Sequence, residues 1–207
     1  MGSTEYFEQV ASNWDQMRQS FFDTSVREKA YQIAGLSEGK TAADIGAGTG
    51  FITEGLIAKG LKVIAVDRSA AMLEQMKAKF IDSNLIVYRT GQSTALSITD
   101  KAVDYTFANM YLHHVEFPIL AIQEMTRILK PNGKLIITDL DEHDFDFLVI
   151  EQHDRWKGFK RADIKRWLTE AGLKNVTVDC MGENCCADSC CGKEKAEISI
   201  FIASGIK

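Results

Sequence analysis

Apolar positions along this chain follow two rhythms that take turns. Compact runs rich in β-branched or small residues occur at Thr41–Ile45, Leu61–Val66, Leu85–Tyr88, Ala102–Ala108 and Lys134–Leu140, as expected of strands buried on both faces. Between them, apolar residues recur at helical spacing: Phe51 to Lys59, then Met72, Leu73, Met76 and Phe80, then Ile122, Met125, Ile128 and Leu129. Ser69 is placed to cap the second of these helices, and Pro118 suits the first turn of the third. A further helix is predicted over 161–171, stopped by Gly172, and Pro131-Asn132-Gly133 reads as a turn. Near the start, Tyr6, Phe7, Val10 and Trp14, then Val26, Ala30, Ile33 and Ala34, predict two helices over 4–36. Strands six and seven are expected at 175–180 and 197–203, where Ile198, Ile200 and Ile202 alternate. Strands alternating with helices in this way predict a doubly wound α/β sheet.

One junction carries chemistry. The first strand ends at Asp44-Ile45, and Gly46-Ala47-Gly48-Thr49-Gly50 follows before the helix at Phe51. A strand, a glycine loop and a helix in that order bind a nucleotide-like ligand over the carboxyl ends of a parallel sheet. Side chains on the loop would keep the backbone from lying against the ligand. The spacing is G-x-G-x-G, and Phe51 stands where a dinucleotide site has its third glycine. Asp67 closes the second apolar run, 17 residues beyond Gly50. An acid there can accept both hydroxyls of a ribose.

The pattern D-x-G-x-G-x-G followed by a strand ending in an acid resembles the class I S-adenosylmethionine-dependent methyltransferases. The resemblance continues through Asn109-Met110-Tyr111-Leu112-His113-His114, the Ile128-to-Leu135 segment and the last strands, so it covers nearly the whole chain. It is nearest to the small-molecule branch that includes ubiquinone/menaquinone C-methyltransferases and arsenite methyltransferases. It implies a Rossmann-like, doubly wound seven-stranded sheet with an antiparallel last strand and helices on both faces. It further implies one methyltransferase domain over 1–207 with a helical cap over 1–36; the aromatic residues of that cap are expected to pack it against the sheet, the other reading being the lid that such helices form in similar methyltransferases. S-adenosylmethionine would be held by Asp44, Gly46, Ala47, Gly48, Gly50, Asp67, Arg68, Met72, Gln92, Ser93 and Asn109. Gln92 and Ser93 stand where similar enzymes keep an acid for the adenine amino group; a Gln carbonyl can accept the same bond. Tyr111, His113 and His114 are the candidates for proton handling on the acceptor. The strand-four exit lacks the N/D/S-P-P-Y/F tetrapeptide of amino-methyltransferases, which argues against DNA adenine as substrate.

At 207 residues with 45% hydrophobic and 26% charged residues, the chain reads as one ordinary globular domain. A net charge of −5 gives no general attraction to nucleic acid. Neither a leader pattern nor a bilayer-length apolar run is present, so a cytoplasmic, non-membrane protein is expected, acting on a small molecule as monomer or homodimer. His143, Asp144, Asp146, Glu151, His153 and Asp154 crowd into 142–158 without metal-site spacing and read as solvated helix. The five cysteines, Cys180, Cys185, Cys186, Cys190 and Cys191, all fall in the tail, around a loop expected at 181–194 on the ligand edge of the sheet. Thiolates are soft ligands, so a metal ion or metalloid held there forms a second reading, against a redox-sensitive loop. In arsenite methyltransferases the arsenic-holding cysteines are spread along the chain, whereas here only the tail carries them.

Overall fold

The computed structural model describes residues 3–189, 192 and 194–207. Three N-terminal helices, α1 (Ser3–Val10), α2 (Trp14–Phe21) and α3 (Ser25–Ala34), precede the sheet. They replace the two expected ones. The chain tightens to a 3-10 turn at Ala11–Asn13, and Phe22 becomes extended to bury its ring against Phe51 at 5.3 Å. Next come β1 (Thr41–Ile45), α4 (Phe51–Ala58), β2 (Lys62–Asp67), α5 (Ala70–Lys79), β3 (Ile86–Thr90) and β4 (Val103–Asn109). The second half holds α6 (Pro118–Ile128), β5 (Leu129–Leu140), α7 (Asp146–Glu151), α8 (Arg161–Glu170), β6 (Lys174–Asp188) and β7 (Lys195–Ile206). As predicted, Ser69 caps α5 by accepting from the Met72 N–H at 3.1 Å, and Pro118 opens α6.

The seven strands lie in the order β3-β2-β1-β4-β5-β7-β6, with β7 antiparallel to both neighbours. Sequence order runs one way from β1 to β3 and the other from β4 onward. The crevice beyond the carboxyl ends of β1 and β4 is therefore the switch point at which such sheets bind ligands. Successive strand residues feed opposite core layers: Ala42, Phe107 and Ile136 pack with α3 and α4, while Ala43, Ala108 and Ile137 pack with α6 and α8. Among the described residues, no helix is long and apolar enough to cross a membrane.

Two expected boundaries move. Strand β5 begins at Leu129, because Lys130 to Gly133 bulge out within the strand as its partner on β4 shifts only from Val103 to Tyr105. Asn132, at φ 65°, still makes a ladder bond to the Lys207 carbonyl. Strand β6 does not stop at Cys180. After a register shift at Gly182 (φ 80°), pairing resumes from Asn184↔Ser199 to Asp188↔Lys195, with Cys185 and Ala187 buried. The expected 181–194 loop is thus mostly the far end of a hairpin, stabilised by burying alternate small side chains against α7 and the sheet.

Candidate active site

A cavity of about 370 Å³ opens at the switch point, floored by the loop between β1 and α4. The loop is held from below: the N–H groups of Gly46 and Ala47 donate to the Val66 carbonyl at 2.9 and 3.0 Å. Of the residues expected to hold a donor, Asp44, Gly46, Ala47, Gly48, Asp67, Arg68, Met72, Gln92, Ser93 and Asn109 line this cavity. Gly50 does not. At φ 94° it starts α4, and a Cβ there would lie 2.7 Å from the Phe80 ring, so its task is to let α4 approach α5.

The two acids, Asp44 buried and Asp67 half-buried, are differently tied. Asp44 Oδ2 accepts from both the N–H and the hydroxyl of Thr53, at 3.0 and 2.7 Å. Desolvation outweighs these bonds and pushes the Asp44 carboxyl up to about 7. Asp67 also titrates above the usual carboxylate range because of burial, although the N–H groups of Ser69 and Gly48 favour its charged form. Polar loop backbone and two acids thus face one side of the cavity. Phe7, Trp14, Met110 and Phe117 bring apolar surface to its lining.

The turn after β4 carries the acceptor-side candidates. Met110, at φ 48°, swings Tyr111 back across the loop, where its ring occupies the space a Cβ on Gly46 would need. Burial raises the Tyr111 hydroxyl to about 12. Beyond it, a 3-10 turn at Leu112–His114 is clasped by Asp139 at the end of β5, which accepts from the Leu112 N–H at 2.7 Å and meets His113 Nδ1 at 2.6 Å. Burial alone would lower His113, but Asp139 and Asp154 hold it up at about 9. It lies behind the cavity wall. His114 lines the cavity itself, and burial beside charged His113 keeps it neutral, well below the ordinary histidine value.

Asp154 is the residue sequence reasoning missed. It is 5% exposed, not solvated, because the N–H groups of Arg155 and Trp156 donate to the His113 carbonyl and strap the segment down. Its carboxyl rises to about 6 through desolvation, opposed by His113. A small side cavity of about 60 Å³ lies among His113, His114, Asp154 and Cys185.

The described cysteines, Cys180, Cys185 and Cys186, do not converge. Cys180 is exposed, and its thiol is lowered by the Gly182 backbone and Arg161; Cys185 is buried, which pushes it up to about 12. Cys185 and Cys186 are successive strand residues and point to opposite faces of β6. Among the described residues, no group of three ligand atoms within 4.8 Å includes a cysteine. Cys190 and Cys191 lie outside the described residues.

Residues 43–137 match the family model described as a methyltransferase domain, a span holding the glycine loop, both acids and the turn after β4. Demethylmenaquinone methyltransferase of Renibacterium salmoninarum is 33% identical over 119 residues, 58% of this chain and 49% of that protein. Ubiquinone biosynthesis O-methyltransferase of Alkalilimnicola ehrlichii is 27% identical over 158 residues, 69% of this chain and 64% of that one. This chain spans less than two thirds of the length of these curated relatives. The fold is shared with a putative methyltransferase solved with the Trm112 methyltransferase activator of Haloferax volcanii: TM-score 0.80, 18% identity, 99% of this chain and 97% of that chain covered. In this chain, α1 and α2 cover the cavity through Phe7 and Trp14, tied down by Tyr6 to Gln152 at 2.6 Å and Thr49 to Asp15 at 2.6 Å.

Proposed function

We propose that this chain is an S-adenosylmethionine-dependent methyltransferase that passes the methyl group directly, in line, to a small-molecule acceptor. One observation carries the reading: a switch-point cavity in which buried Asp44, half-buried Asp67 and bare glycine backbone face an apolar, aromatic wall. Asp67 accepts the ribose hydroxyls, Gly46 to Gly48 lie against the amino-acid part, and Met72, Gln92 and Ser93 surround the adenine. Asp44, Arg68 and Asn109 complete the donor contacts. The relatives with quinone-pathway names support an aromatic or quinol-type acceptor.

The acceptor enters beside Phe7, Trp14 and His114. Its electron pair forms the new bond to carbon as the sulfonium S–CH3 bond breaks, leaving S-adenosylhomocysteine, and the proton the acceptor carried is released to solvent. Alignment within a closed site supplies much of the acceleration, worth ~7–11 kcal/mol in well-oriented cases. His114, neutral and on the wall, orients the acceptor by a hydrogen bond. Tyr111 holds its proton at neutral pH and shapes the floor. His113 is already charged and sequestered, so it positions the turn. Calorimetry with S-adenosylmethionine, followed by turnover of labelled donor against phenols, quinols, amines, thiols and arsenite, tests the reading. A protein that binds no donor would overturn it.

A further inference from the structure

Three side chains from two distant segments meet behind the cavity wall. Asp154 Oδ1 lies 3.7 Å from His113 Nε2 and 3.6 Å from His114 Nδ1, and the three atoms are all within 4.8 Å of one another. Those gaps are too long for hydrogen bonds. They lie at or just above the ~3.3–3.6 Å between neighbouring ligand atoms of a tetrahedral ion with bonds of ~2.0–2.2 Å. Asp154 and His113 sit at ion-pair distance without a direct hydrogen bond between them.

His114 Nδ1 is buried and has no hydrogen-bond partner. Leaving such an atom unpaired costs ~1–3 kcal/mol, and a cation would take up its lone pair. The other nitrogen of His113 is engaged by Asp139 at 2.6 Å. A carboxylate behind a histidine is the usual support of a metal-binding imidazole, fixing both tautomer and ring angle. The side cavity of about 60 Å³ leaves room for a further ligand on the open side.

We propose that His113 Nε2, on releasing its proton, joins His114 Nδ1 and Asp154 Oδ1 in binding one divalent first-row transition ion of the zinc class, with a fourth position open to the side cavity. Two imidazoles and one carboxylate suit such ions, whereas magnesium and calcium favour all-oxygen shells. No cysteine is among the three ligands, although Cys185 borders the same side cavity, and the site stands whether or not the chain transfers methyl groups. With the ion on Nδ1, His114 keeps an N–H at Nε2.

The test is cobalt(II) titration of chelator-stripped protein, read by visible absorption and equilibrium dialysis. One cobalt per chain with the strong absorption of a four-coordinate centre is expected. Asp154→Asn and His114→Gln should each lose that signal while circular dichroism stays that of the wild type. Asp139→Asn should weaken cobalt binding ~10–100-fold. A variant with all five cysteines changed to serine should bind as the wild type does. Wild-type protein that takes up no cobalt overturns the proposal. So does binding that survives in whichever of Asp154→Asn and His114→Gln folds, or that disappears with the cysteines.

Discussion

The Gly48 N–H donates to Asp67 Oδ2 at 2.7 Å, so the acid at the end of β2 grips the loop that leaves β1. Its other oxygen accepts the Ser69 N–H at 2.8 Å, at the start of α5. One carboxylate therefore fixes both a loop and a helix entry at the mouth of the cavity. Asp67→Ala should lower S-adenosylmethionine affinity by two or more powers of ten, since charged hydrogen bonds contribute ~1.5–3 kcal/mol each. Calorimetry checks this, and wild-type affinity in the variant would remove the ribose assignment.

Gly46→Ala should destabilise well beyond its backbone cost. Gly46 sits at φ 71°, and a Cβ would fall 2.1 Å from Tyr111 Cδ2. Gly39, at φ 77° with nothing within 4 Å, is the matched control, carrying only a conformational cost of ~1 kcal/mol. Denaturant melts should show the larger loss at Gly46, with partial recovery when Tyr111→Ala is added. Equal losses at the two glycines would contradict the close approach.

The frame around these residues was legible because its signals are local. Glycine spacing, β-branched runs and the acids at the ends of β1 and β2 are each fixed by a few neighbouring positions. What stayed hidden depends on distant partners. Asp154 looks solvated until the backbone beyond it is seen bonded to His113, 41 positions earlier in the chain. Gly50 resembles its neighbours in the motif, and only the Phe80 ring behind it reveals a packing role. The far end of β6 is poor in strand-forming residues, and its strand conformation comes from pairing with β7. The break before α3 likewise follows from the pocket that Phe22 fills.

Asp44 makes stability fall as pH rises. Its carboxyl titrates near 7 in the folded chain against an ordinary 3.8, so the folded state keeps a proton that the unfolded state has lost. This contribution is fully present below about pH 4 and lost through about pH 7, worth up to about 4 kcal/mol. Asp44→Asn keeps both Thr53 bonds, because a single oxygen accepts them. Its melting temperature should decline less than that of the wild type between pH 4.5 and pH 8. Parallel declines would show that Asp44 is not the responsible group.

Tyr6→Phe removes the bond from α1 to Gln152 at 2.6 Å. Amide exchange in α1 and α2 should quicken several-fold, consistent with ~1 kcal/mol of local stability, while the sheet is unaffected. Exchange that is unchanged in these helices would mean that the Tyr6–Gln152 bond does not hold the cover, leaving its aromatic contacts and the Thr49–Asp15 bond.

Phe7 and Trp14 line both the large and the small cavity, so the two spaces share one roof. Lifting that roof admits solvent to both at once, and a molecule in either will resist the exit of whatever lies in the other. Trp14 is also the one tryptophan of three that faces either space. Its fluorescence is a reporter already built into the chain, and the order in which ligands arrive and depart can be read from it without any attached label.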